Sequence, residues 1–188
     1  MRREQGVSAA EAGYTRTAIV LHWLVALLII ATFPLGLYMS DLPLSPTRLK
    51  LYSYHKWIGI TVLMLVVLRL GWRLYHRPPP LPVTMPRWQR VATHGMHHLL
   101  YLLMLTVPVS GWLMSSAKGF QTVWLGILPL PDLVAKDKAL GELLTEVHES
   151  LNWILLAVVG LHVVAALKHH FIDRDGLLRR MSLRRKPF

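Results

Sequence analysis

Ten histidines stand in this 188-residue chain, and four of them, His22, His55, His148 and His162, fall inside or at the ends of long apolar blocks. An ionisable side chain is costly in hydrocarbon, so one placed there marks function by default. His148 and His162 are 14 residues apart. At helical periodicity that spacing returns to within about 40° of its starting direction, so both imidazoles share one helix face. The rise between them is about 21 Å, which sets one near each surface of a bilayer. His22 and His55 lie in the first and second blocks. Consecutive spans run in opposite directions, so His22 comes to the depth of His162 and His55 to the depth of His148. A lone intramembrane histidine can serve only as a hydrogen-bonding group between helices. Four that sort by depth into two pairs, on facing helices of a bundle, match the axial ligands of two stacked bis-histidine haems.

Other residues can serve the same chemistry or merely anchor the chain at the interface. His94 and His97 open the third block three residues apart in HGMHH. Both can face inward and hydrogen-bond a haem propionate or a quinone carbonyl. Arg16 and Arg69 lie near the same end of their spans and can pair with propionates, or simply hold that end in the cytoplasm. Lys50 and Lys56 flank His55, where they can attract an anion or sit as interfacial lysines. Small residues follow three of the four histidines at i+4, namely Ala26, Gly59 and Ala166, while Asn152 follows His148. Small residues there leave room for a macrocycle, although they are common in any transmembrane interface.

The elements that position these residues follow from composition. Hydrophobic residues make up 53% of the chain and charged ones only 16%, against about 25% in soluble domains. The apolar residues come in blocks of about 20, the length that spans hydrocarbon as a helix. Lipid leaves no alternative to helix for such blocks short of a closed barrel. The spans are expected at about 18–39, 49–72, 94–114 and 144–171, in a single domain covering 1–188. The proline-rich RPPPLPVTMPR segment separates the second from the third. The fold class is therefore all-α, an integral membrane four-helix bundle. The polar first residues and the long first block point to a retained helix rather than a signal peptide.

An even number of spans puts both termini on one side. Fourteen basic residues lie in the N-terminus (Arg2, Arg3, Arg16), in the second connection (Arg73, Arg77, Arg87, Arg90) and in the tail. The last comprises Lys168, Arg174, Arg179, Arg180, Arg184, Arg185 and Lys186. Five lie in the opposite loops: Arg48, Lys50, Lys118, Lys136 and Lys138. By the positive-inside rule both termini are cytoplasmic. The same distribution accounts for the net charge of +11 without nucleic acid. The absence of cysteine excludes covalently attached c-type haem, thiolate-held iron–sulfur clusters and disulfides.

Taken together, LHW at Leu21–Trp23, HKWIGI at His55–Ile60 with VVLRLGWRL, the PPP linker, HGMHHLLYLL, VHESLNW and GLHVVAALKHHFIDRDGLLRRM resemble the bacterial cytochrome b561 family over nearly the whole length. The resemblance implies haem b ligated by His22 with His162 and by His55 with His148, the pairing that depth alone suggests. It also implies a place in the bacterial inner membrane and electron exchange with the ubiquinone pool. Some members are similar to superoxide:ubiquinone oxidoreductases, which makes superoxide or another periplasmic redox partner an expected reagent on the outer side. Two other readings stand beside this one. The chain can be the cytochrome b anchor of a hydrogenase- or dehydrogenase-type complex. HGMHH also has the H-x-x-H-H spacing of a membrane di-iron desaturase or hydroxylase, a reading that leaves the four paired histidines unexplained.

Overall fold

A computed structural model describes residues 13–183. Four long helices dominate: α1 (Arg16–Asp41), α2 (Pro46–Tyr75), α3 (Arg87–Ala117) and α4 (Lys138–Lys168). Each contains a stretch long and apolar enough to cross a membrane. The helices outrun the apolar blocks at their N-termini because capping side chains, not hydropathy, set those ends. The Thr15 hydroxyl accepts from the Ala18 amide, Ser45 from Arg48 with Pro46 following it, and Asp137 from Leu140. Helix α4 thus begins six residues before the expected 144; α3 begins seven before the expected 94, directly after Pro86 and without a capping side chain. Pro34 and Pro108 lie within α1 and α3. Spanning helices accept interior proline where neighbouring helices and hydroxyl side chains satisfy the freed backbone groups.

The close pairings are α3 on α4, α1 on α2 and α2 on α3. Val25, Val62, Val66, Leu103, Met104 and Val158 form the centre of the core. Outside it, Leu27, Ile30, Leu102 and Val164 are each more than half exposed. So many bare aliphatic side chains would aggregate a protein in water and suit one surrounded by lipid.

Contacts define the two ends of the bundle. At the terminal end the Trp72 indole donates to Thr15 Oγ1, the Trp23 indole to the Met181 carbonyl, and Arg180 to the Pro80 carbonyl. These join the start of α1, the α2–α3 linker and a C-terminal segment. That segment follows α4 through a π-helical turn (His169–Asp173) and ends in a 3₁₀ turn (Leu178–Met181).

The opposite end carries a two-stranded antiparallel hairpin, β1 (Val123–Trp124) with β2 (Leu128–Pro129), which the sequence pattern did not signal. It is held from several directions. The Trp57 indole donates to Val123 O at 2.6 Å, the Trp124 indole to Thr61 Oγ1 and the Trp112 indole to Pro131 O. Of the basic residues behind the expected orientation, Arg2, Arg3, Arg184, Arg185 and Lys186 lie outside the described residues.

Candidate functional site

Helix α4 presents His148 toward the hairpin end and His162 toward the terminal end, both half-buried. Each faces one histidine of another helix. The ring centres of His22 and His162 are 6.3 Å apart with planes at 67°, and those of His55 and His148 are 6.3 Å apart at 84°. Helices α1 and α2 thus meet α4 through imidazoles at two depths. Phe33 on Trp153, edge to face at 5.4 Å, adds an aromatic contact between α1 and α4.

The spacing has a chemical meaning. Two imidazoles on opposite sides of one metal, with metal–nitrogen bonds of about 2.0 Å, have ring centres roughly 6.4 Å apart. Direct hydrogen bonding between the rings would draw them closer. His22 also has a buried ring nitrogen, Nδ1, with no hydrogen-bond partner. A buried polar atom left so is uncommon unless it serves a ligand or a reaction. His148 is oriented on its far side. Its Nδ1 lies 3.1 Å from the Val107 carbonyl and 2.9 Å from Ser110 Oγ. A carbonyl can only accept, so Nδ1 carries the hydrogen and the Nε2 lone pair is free for a metal. The residues present therefore fit a bis-histidine haem in each pair.

Room for the rings comes from glycines on other helices. A Cβ at Gly36 would lie 3.1 Å from His55 Cε1, and one at Gly111 would lie 2.9 Å from His148 Cε1. Sequence reasoning looked for small residues at i+4 on the same helix and missed these two. Of the i+4 set, Gly59 faces open space and Ala166 lines a cavity.

That cavity surrounds the His22–His162 pair at the terminal end and encloses about 1460 Å³ not filled by protein atoms, its open mouth included. Arg69 and His97 line it. The Arg69 guanidinium lies 5.4 Å from the Tyr101 ring centre, and the His97 ring is 5.5 Å from that of His162. His97 Nδ1 is 2.8 Å from the Thr93 carbonyl, which leaves its other nitrogen for the cavity. His94 and Arg16 are exposed and lie outside the cavity lining. Arg73, counted above only among the basic residues that set orientation, and His169 also line it. At the hairpin end Lys56 is tied down: its Nζ reaches Ser115 Oγ, Phe120 O and Gln121 O at 3.1–3.4 Å. Lys50 rests over the Tyr54 ring at 5.8 Å.

Comparison with known proteins follows the same lines. Residues 13–182 match the model of the prokaryotic cytochrome b561 family. The chain belongs to that family. It is 36% identical to cytochrome b561 homolog 2 of Escherichia coli K12, over 89% of this chain and 90% of the relative. It is 30% identical to cytochrome b561 homolog 1 of the same organism, over 92% and 98%. A Yersinia pestis relative named "Probable superoxide oxidase CybB" is 29% identical over 92% and 97%. As a prokaryotic cytochrome b561, the chain is a multi-pass inner-membrane cytochrome that binds haem b and transfers electrons.

Proposed function

We propose that this cytochrome b561 is one membrane domain holding two haems b. His22 and His162 ligate one near the terminal end, and His55 and His148 ligate the other near the hairpin end. Both termini face the cytoplasm, and electrons pass across the membrane between a reagent on the hairpin side and the ubiquinone pool. The observation that carries the reading is the repetition of one 6.3 Å ring spacing at two depths of α4. The haem iron supplies a one-electron couple. The chain supplies positions. Its four imidazoles would hold the two haem irons, and a haem held by two histidines would favour outer-sphere electron transfer over binding of oxygen. Arg69 and His97, which line the cavity around His22 and His162, would hold propionates of the terminal-side haem.

Superoxide is a fitting donor on the hairpin side, since its oxidation to dioxygen releases one electron at a time. The name of the Yersinia relative supports that choice. The test has two parts. Pyridine haemochrome analysis of the purified protein is expected to give two haems per chain, and one haem or none removes the two-haem reading. In liposomes containing ubiquinone, a reductant supplied on the hairpin side alone is expected to reduce both haems and then the quinone. If the haems never exchange electrons with quinone, the quinone assignment fails. If they exchange with quinone but no outside reagent reaches them, an anchor subunit within a larger complex becomes the better reading.

A further inference from the structure

Helix α3 meets His148 through two consecutive residues with different parts to play. Gly111 lets the ring come close, since a Cβ there would lie 2.9 Å from its Cε1. Ser110 bonds to it. That serine is buried, 6% exposed, and its hydroxyl donates to the Val107 carbonyl at 2.7 Å. With its hydrogen committed there, Oγ faces His148 Nδ1 at 2.9 Å as an acceptor. The Val107 carbonyl lies 3.1 Å from the same nitrogen. The ring N–H thus feeds a short chain, imidazole to hydroxyl to carbonyl, in which each hydrogen bond polarises the next.

The surroundings strengthen that chain. Ser110 lies on the wall of a groove between α3 and α4 whose other lining is aliphatic apart from Thr106, with Leu113, Leu144 and Val147 among it. A water there would find few polar partners, so none takes over if the hydroxyl is removed. The other end of the bundle is arranged differently. His22 Nδ1 is buried and has no hydrogen-bond partner. Arg69 and Arg73 line the cavity around that pair, and no acid is among its described lining residues. The two histidine pairs are alike in ring spacing and unlike in how their imidazoles are held.

We propose that Ser110 is a positioning residue that sets the redox balance of the hairpin-side pair. Its hydroxyl fixes His148 as an Nδ1–H donor and, through that hydrogen bond, makes Nε2 a stronger electron donor to the haem iron. The ferric form is favoured and the potential of the hairpin-side haem is lowered. This rests on the two-haem reading above. A hydrogen bond donated by the far nitrogen of a ligand histidine raises the basicity of the ligating one. Hydrogen bonding to an axial ligand is also one of the means by which a protein tunes haem potential. A lower potential at the hairpin side makes passage of an electron on to the terminal-side pair more favourable.

Spectroelectrochemistry of the purified holoprotein reads the potential of each haem. The variants are Ser110→Ala and Ser110→Thr, each made in the otherwise unaltered chain and also in His22→Ala, where the hairpin-side haem is expected to stand alone. In Ser110→Ala the ferrous-to-ferric ratio of the hairpin-side haem at one fixed potential is expected to rise about fivefold, the weight of one ordinary hydrogen bond, or about 40 mV at ~59 mV per tenfold. The terminal-side haem is expected to keep its potential, haem per chain to hold, and a low-spin electron paramagnetic resonance signal to show both ligands retained. Ser110→Thr keeps the hydroxyl, and its added methyl has the groove to enter. It is expected to stay near the unaltered potential. An unchanged hairpin-side potential in Ser110→Ala overturns the proposal. So does loss of that haem, an equal shift of both haems, or a shift as large in Ser110→Thr, each of which makes Ser110 a packing residue alone. If the unaltered protein holds a single haem, the two-haem reading itself has failed, and the role of Ser110 falls with it.

Discussion

The α-carbon of Gly111 is pressed against the imidazole of His148: a methyl group there would meet Cε1 at 2.9 Å, inside van der Waals contact. The ring is held from behind by Val107 O and Ser110 Oγ, so it has little freedom to retreat.

A Gly111→Val substitution is therefore expected to displace His148 and cost the protein the hairpin-side haem while the other remains. Haem per chain should fall from two toward one, and redox titration should lose one component. Gly59→Ala, where a Cβ meets open space in the protein alone, is the informative contrast: loss of haem there would show that the macrocycle occupies that space.

The two histidine pairs are separate in the structure, one pair at each end of α4. His22→Ala is expected to remove the terminal-side haem alone and His55→Ala the hairpin-side haem alone. Visible spectra and potentiometric titration of each variant distinguish the components. Loss of both haems from a folded single variant would mean that the sites are not independent.

Orientation is tested without reference to haem. A reporter fused after the last residue is expected to read cytoplasmic, because the basic residues stand fourteen to five in favour of that side. A periplasmic reading would exchange the two sides.

Lys56 joins α2 to the end of α3 and the chain that leads into the hairpin, through three oxygen acceptors. Lys56→Met keeps the aliphatic stem and removes the charge-assisted hydrogen bonds. It is expected to destabilise the hairpin end by about 1–3 kcal/mol, seen as faster proteolysis within residues 118–137 at unchanged haem content. If Lys56 served only to attract an anion from solution, proteolysis would not change and the salt dependence of reduction from outside would.

Much of this molecule is legible in one dimension. Hydropathy over about 20 residues marks each spanning helix, because lipid accepts little else. A separation of 14 residues on one helix, combined with the alternation of direction between spans, is enough to bring His22 beside His162 and His55 beside His148. Both arguments concern position along the membrane normal, which chain length and helical rise determine. Rotation of each helix about its own axis is different, since it depends on which neighbours it packs against. His94 and His97 were equivalent candidates in the sequence, and packing turned His97 toward His162 and left His94 exposed. Gly36 and Gly111 make room for histidines on other helices, and no spacing within α1 or α3 announces that. The hairpin, its tryptophan clamps and the π-helical turn His169–Asp173 join residues by side-chain hydrogen bonds and a break in helical regularity. Those depend on distances between segments, and only the tertiary structure decides them.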